Sequence, residues 1–90
     1  MSKMKVEKPS QEQLEALNVE VWPIWKKEVS SFNWSYGEKE TCYILEGTAE
    51  VKAEDGEVIK FEEGDLVTFF PGLNCVWDIK GDIKKHYKMG

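Results

Sequence analysis

The sequence predicts an all-β sandwich or barrel with one short helix near its N-terminus. About eight short β-prone runs are separated by turn residues at regular spacing, the pattern of antiparallel β architectures. Aromatic residues make up 12% of the 90 residues, and the core of an enclosed barrel can bury this many rings more easily than a helical bundle of this length. No internal repeat or linker interrupts the chain, so a single domain over residues 1–90 accounts for it.

The domain is expected to divide into an N-terminal arm, residues 1–18, and a barrel, residues 19–88. Residues 1–9 are charged and include Pro9, which favours either an edge strand or a loose tail.

The short helix is predicted from its capping residues. Ser10 and Gln13 fit a capping box, in which the serine hydroxyl accepts from the third helical N–H. Leu14 and Leu17 then share one helical face, and Asn18 is a suitable stop.

The rest of the chain is predicted to form strands and turns. Pro23 marks an edge or a bulge, and the Asp55-Gly56 pair is the strongest hairpin signal, calling for a type I′ turn. Further turns are expected at residues 46–47, 62–65, 71–72 and 81–82. The strands between them are expected at residues 19–24, 26–32, 40–45, 48–54, 57–61, 66–70, 74–80 and 83–88.

Composition excludes several classes of function. The net charge of −5 disfavours nucleic acid and anionic membranes, which require a basic face. No apolar run approaches the roughly 18 residues of a spanning helix, and the N-terminus lacks the apolar core of a secretory signal. Two cysteines, Cys42 and Cys75, are too few for a secreted disulfide scaffold, so a reduced, cytoplasmic protein is expected.

Two segments resemble the signature motifs of the cupin superfamily, small β-barrels that usually hold one metal ion. The first cupin motif reads G-x5-H-x-H-x3–4-E-x6-G. Glu40 and Gly47 reproduce its second half, whereas Trp34 and Tyr36 stand at the two histidine positions.

The second cupin motif reads G-x5-P-x-G-x2-H. Gly64 and Gly72 keep its frame, but Phe70 stands where the proline is expected, with Pro71 beside it. Cys75 stands at the histidine position. Most of the usual metal-binding side chains are therefore replaced.

The resemblance extends over residues 19–87 and is sharpest to one subgroup of small single-domain cupins. These are similar to the cupin domains of (S)-ureidoglycine aminohydrolase and of the ethanolamine-utilisation cupin. The resemblance implies a double-stranded β-helix, or jelly roll, of about eight or more antiparallel strands. It also implies a small nitrogenous or carbonyl metabolite as ligand.

Glu40 is the leading candidate for proton transfer. A carboxylate inside a barrel is costly unless it is paired, coordinated or neutralised, and burial favours the protonated form that a general acid needs. The alternative is a glutamate at the rim that is hydrogen-bonded to Tyr36 or to a lysine.

Cys75 and His86 complete the candidate catalytic set. Cys75 could act as a nucleophile with His86 as its base, because thiolate formation needs a nearby base or cation. The alternative is a buried cysteine that packs as a small hydrophobe.

Trp34, Tyr36 and Trp77 are the candidate substrate-binding residues. Residues 34, 36 and 40 have the same parity, so one strand face could present all three side chains. The alternative is that these rings simply fill a small barrel.

No cofactor is expected, although Glu40, Cys75 and His86 could together hold Zn²⁺ or Mn²⁺ with one open position. The leading hypothesis is thus a small-molecule-binding cupin, either enzyme or binder. The alternative is a non-catalytic or structural cupin whose degenerate barrel is filled. A homodimer formed through edge strands fits either hypothesis.

Overall fold

The computed structural model describes residues 2–90, and they form the predicted all-β fold. All strand pairs are antiparallel, and one seven-stranded sheet wraps around a single core. A 3₁₀ turn, Val19–Val21, follows the helix α1, Gln11–Leu17. The strands are β1 Met4–Glu7, β2 Ile24–Lys27, β3 Ser30–Ser35, β4 Glu40–Ala53, β5 Val58–Glu62, β6 Leu66–Phe69 and β7 Asn74–Met89.

The predicted helix caps are confirmed. The Gln13 N–H donates to the Ser10 hydroxyl at 3.1 Å, which satisfies one of the free donors of the first turn. Asn18 ends the helix with φ 58°, a left-handed conformation that asparagine tolerates better than most residues.

The arm before the helix is an edge strand, the first of the two predicted alternatives. β1 pairs with β6 along its whole length, with Met4 opposite Phe69. Met4 is buried in the core, and Lys8 forms an ion pair of 2.6 Å with the buried Asp65.

The two long strands β4 and β7 pair with each other and form the spine of the sheet. The turns predicted at residues 46–47 and 81–82 are wrong, since the chain passes through both without leaving the ladder. Register shifts occur there instead, between residues 44 and 49 of β4. Such bulges bend a strand sharply, as a turn would, but keep most of its hydrogen bonds.

The bulges reverse the inward-facing parity of β4. Residues 40, 42 and 44 are buried before the bend, and residues 49, 51 and 53 after it. Gly47 lies at this point with φ 94°. One strand can therefore contribute side chains to the core from both of its halves.

The four remaining strands attach to the halves of this spine. β6 and β5 pair with the first and second halves of β4, and β3 and β2 pair with the first and second halves of β7. The strand predicted over residues 26–32 is thus two strands, and that predicted over residues 19–24 is mainly the 3₁₀ turn.

The hairpin at Asp55-Gly56 is confirmed, but its predicted type I′ turn is wrong. That turn requires positive φ at both central residues, and here only Gly56 has it, at 94°. The Gly56 N–H donates to the Ala53 carbonyl, so Gly56 follows the turn in the left-handed conformation typical of three-residue hairpin loops.

Within residues 2–90, no helix is long and apolar enough to cross a membrane.

Gly47→Ala should destabilise the protein more than Gly56→Ala. Both residues have φ 94°, so alanine is strained at either position. A Cβ at Gly47 would also collide with the backbone carbonyl oxygens of Gly81 and Asp82, whereas one at Gly56 meets nothing within 4 Å. We expect the collision to cost about 1–3 kcal/mol beyond the backbone strain. Urea unfolding of the two variants measures it, and equal losses would contradict the close packing of β4 on β7.

Candidate functional site

A cavity of about 330 Å³ opens into the barrel on the side of β2, β3 and the end of β7. Its wall is mainly aromatic, and its polar atoms come from a few side chains. It is lined by Trp25, Phe32, Trp34, Tyr36, Glu40, Trp77, Lys85, Tyr87 and Met89.

Three of these side chains form a polar cluster. The Lys85 ammonium donates to Glu40 Oε2 at 3.0 Å, and the Tyr36 hydroxyl donates to Glu40 Oε1 at 2.8 Å. Lys85 is 4% exposed and Glu40 is 6% exposed, so both charges are almost removed from water. Such a pair is maintained only with good geometry and additional hydrogen bonds, and Tyr36 supplies one.

The strand register brings these charges together. Glu40 begins β4 next to the last residues of β7, where it lies opposite Met89. Lys85 on β7 lies opposite Ile44 on one side and Trp25 on the other. Because every second side chain of a strand lies on the same face, Glu40 shares the inward face of Ile44, and Lys85 lies opposite Ile44 on that face.

Lys85 is also held by two indole rings. Its ammonium lies 4.6 Å from the centroid of Trp77 and 4.8 Å from that of Trp25. Cations within about 6 Å of an aromatic face are attracted by its quadrupole, more strongly where water is excluded. The carboxylate of Glu40 and the two rings therefore all stabilise the charged ammonium.

The aromatic wall is closely packed at its base and open at its mouth. Tyr36 stacks on Phe69 at 4.9 Å, and Phe32 stacks on Trp77 at 6.0 Å. Trp34 is 53% exposed and meets Tyr36 edge-on, so it forms part of the rim.

Burial raises the pKa of Tyr36 well above its ordinary value, and the negative charge of Glu40 raises it further. The indole N–H of Trp77 is close enough to the phenol oxygen to oppose this slightly. It makes no hydrogen bond of normal geometry with that oxygen, nor with any other acceptor among residues 2–90. Tyr36 therefore keeps its proton and acts as a donor to Glu40.

The chain matches a family of known domains. Residues 14–87 match the model of the EutQ-like cupin domain, Cupin_3. The chain belongs to this family. A comparison with curated proteins finds no significant match.

Solved structures agree with the cupin fold. A DUF861 family protein from Thermotoga maritima is 54% identical, with a TM-score of 0.95, over 97% of this chain and 99% of that one. The EutQ protein of Clostridium difficile is 17% identical, with a TM-score of 0.67, over 73% of this chain and 52% of that one. A putative ethanolamine utilization protein Q from Salmonella typhimurium is 18% identical, with a TM-score of 0.68, over 98% of this chain and 58% of that one. The last two likenesses concern the fold alone.

The cupin barrel brings four of the six sequence-predicted site residues to one cavity: Trp34, Tyr36, Glu40 and Trp77. Glu40 is buried, as the first alternative predicted, and not at the rim, but it has the hydrogen-bond partners of the second alternative, Tyr36 and a lysine.

Cys75 shares the interior but does not line the cavity. Its thiol donates to the Trp34 carbonyl at 3.5 Å. Burial raises its pKa to about 11, and the nearby charge of Glu40 contributes to the rise. These surroundings favour the alternative of a packed cysteine, since a nucleophile needs the thiolate form.

His86 faces the other side of β7, so the predicted pairing of Cys75 with His86 is wrong. Its Nδ1 lies 2.8 Å from the Trp22 carbonyl, which can only accept, so Nδ1–H is the donor. Its side chain lies beside the helix, outside the cavity. Successive side chains of a strand point to opposite faces, so His86, the neighbour of the inward-facing Lys85, points outward.

Lys85 is the charged cavity residue that sequence reasoning missed. Its parity is that of Cys75 and Trp77, and all three are buried. The two-residue period of β7 places Lys85 on the same buried face as Cys75 and Trp77, but the turn wrongly expected at residues 81–82 interrupted that period in the prediction.

The residues present do not fit the metal ion that cupins usually hold. Residues 2–90 contain no group of three or more His, Cys, Asp or Glu side chains suited to a cation. The oxygens of Glu40 are engaged by Tyr36 and Lys85, and the ammonium at 3.0 Å would repel a divalent cation there.

Lys85→Met should cost about 3–5 kcal/mol of stability, because it leaves the Glu40 carboxylate buried without a counter-charge. Glu40→Gln should cost less, since two indole faces still stabilise the ammonium. The double variant, with no buried charge, should be more stable than Lys85→Met alone. Urea unfolding of all four proteins measures the coupling, and strictly additive losses would contradict the ion pair.

Cys75 should alkylate slowly in the native protein, and its rate should continue to rise up to about pH 11. A raised pKa means that less thiolate is present at any pH below it, with about a tenfold gain for each pH unit. Cys42, whose pKa burial raises to about 12, should be slower still. Iodoacetamide labelling with peptide mapping follows each thiol, and urea-unfolded protein is the control. A rate for Cys75 that levels off near pH 7 would restore it as a candidate nucleophile.

Proposed function

We propose that this cupin domain binds a small nitrogenous or carbonyl metabolite in the cavity beside Glu40. The observation that carries the proposal is the polar cluster of Glu40, Lys85 and Tyr36 at an aromatic, open cavity. Ligand sites of small molecules usually combine an apolar wall with a few convergent polar groups.

The cavity argues against a barrel that is merely filled. A filled barrel would pack Trp34 and Trp77 against each other across the interior. Trp34 instead lies at the rim, and both side chains line open space.

Catalysis, where it occurs, is assigned to Glu40. Its carboxylate could take a proton from a ligand and return it, while Lys85 and Tyr36 stabilise its charged form. Non-catalytic binding is the second candidate, and it is favoured by the same two hydrogen bonds, because they already engage both carboxylate oxygens.

The named relatives set the class of ligand only by analogy. The chain spans 52% of the EutQ protein of Clostridium difficile and 58% of the putative ethanolamine utilization protein of Salmonella typhimurium, so the roles of both concern longer proteins. The motif resemblance to (S)-ureidoglycine aminohydrolase supports a small nitrogenous ligand. Both cysteines are free thiols, which is consistent with the proposed reducing, cytoplasmic setting.

The proposal predicts that ligands will quench or shift the emission of the cavity tryptophans. A panel of small ureido acids, keto acids, aldehydes, amides and amino alcohols is titrated against the protein, with turnover followed by mass spectrometry. At least one compound should bind saturably and lose about tenfold or more in affinity in Glu40→Gln.

Glu50→Gln is the matched control, because Glu50 lies on the same strand and pairs with the exposed Lys60 outside the cavity. Loss of binding in both variants, or binding in neither the variants nor the native protein, would refute the proposed site. Saturable binding without turnover would select the non-catalytic candidate.

A further inference from the structure

We infer that two copies of this chain associate through β3, which pairs antiparallel with the β3 of the other copy about a two-fold axis at Asn33. In that pair, Trp34 of each copy extends the aromatic wall of the cavity in the other. The association goes beyond the proposed function and does not depend on which ligand the cavity binds.

One edge of β3 is free to form hydrogen bonds. Within residues 2–90, β3 pairs with β7 alone. The Tyr36 N–H, just after the strand, donates to the Leu73 carbonyl, so the backbone groups of every second residue back from Tyr36 point towards β7. The backbone N–H and C=O groups of Ser31, Asn33 and Ser35 therefore point away from β7, to the open side of the sheet. A further strand could pair with all three residues.

β3 also lacks the features that keep an edge strand from pairing with another chain. Natural edge strands are commonly protected by charged side chains or by proline. The strands β1, β2 and β5 likewise pair with a single neighbour each, and each of them contains two charged residues. β3 reads Ser-Ser-Phe-Asn-Trp-Ser and contains neither a charge nor a proline. Two copies of β3 therefore meet without opposing like charges, whereas two copies of β2 would bring Lys26 and Lys27 of both together.

The free backbone groups fix the register of the pair. They are centred on Asn33, so a two-fold axis there pairs Asn33 with itself and Ser31 with the partner's Ser35. All three free residues of each copy then have a partner. Sliding one strand by two residues would leave one of the three unpaired in each copy.

The same register covers the exposed indole of Trp34. This side chain is 53% exposed, and with Phe32 it lies on the cavity side of β3. A pair centred on Asn33 places Trp34 directly opposite the partner's Phe32, at a non-hydrogen-bonded position where side chains approach closely. Aromatic cross-strand neighbours of this kind stabilise a strand pair. Each indole thereby loses exposed surface and adjoins the other cavity.

The mass of the protein in solution tests the association. Light scattering after size exclusion, at concentrations up to about 1 mM, should show a rise from the chain mass of 10.4 kDa towards twice that value. Asn33→Lys should weaken the association at least about tenfold, because it places two ammonium groups opposite each other on the axis. Gln13→Lys is the matched control, since it adds the same charge on the exposed helix α1 and should leave the association unchanged.

Cysteine cross-linking tests the register. Asn33→Cys should form a disulfide dimer with oxidised glutathione, because directly opposed residues have their Cβ atoms about 4.5–5.5 Å apart. Ser31→Cys lies on the same edge but opposite the partner's Ser35, so it should cross-link at least about tenfold more slowly. Both native cysteines are buried, which keeps the background low.

The indole N–H resonances of ¹⁵N-labelled protein test the contact with the cavity. The Trp34 resonance should shift as the protein is diluted, whereas that of the buried Trp22 should not.

A monomer at every concentration, or a dimer that Asn33→Lys leaves intact, would overturn the inference. Equal cross-linking of Asn33→Cys and Ser31→Cys, or a Trp34 resonance that does not change on dissociation, would do so too. None of these results would affect the proposed ligand site, because its cavity is formed within one copy.

Discussion

The pairing of β4 with β7 is the constraint on which the rest of the structure depends. These two strands run side by side over nearly their whole length, and every other strand except β1 pairs directly with one of them. β4 bends where Gly47 lies against the backbone of Gly81 and Asp82 of β7. A side chain at Gly47 would separate the strands there. The bend curves the sheet around one core, and the antiparallel register places the start of β4 beside the end of β7.

That juxtaposition creates the site. Glu40 and Lys85 are 45 residues apart in the chain and lie 3.0 Å apart in the barrel. Their charges are buried together, and Tyr36, Trp25 and Trp77 surround them. Where cupins usually hold a metal cation beside their motif glutamate, this cupin holds an ammonium on its own chain. An ammonium donates hydrogen bonds and does not bind ligand atoms as a metal ion does, so the cation beside Glu40 in this cavity is a hydrogen-bond donor.

Much of the fold was predictable because its signals are local. The Ser10 and Asn18 caps, the hairpin at Gly56 and the all-β class each follow from a few adjacent residues. The wrong turn predictions occur where the same local sequence is compatible with two backbone structures. The glycines at 47 and 81 fit a turn as well as a bulge, and only the partner strand decides that the ladder continues.

The sequence by itself determined the fold family and the replacement of the usual metal-binding histidines. Motif spacing and the two-residue period of a strand are properties of the chain alone. Only the tertiary structure decided that Lys85 is the partner of Glu40, that Cys75 packs beside the cavity without lining it, and that His86 faces away from it. Those facts depend on which strands become neighbours and in which register, and neighbours that are distant in sequence leave no local pattern.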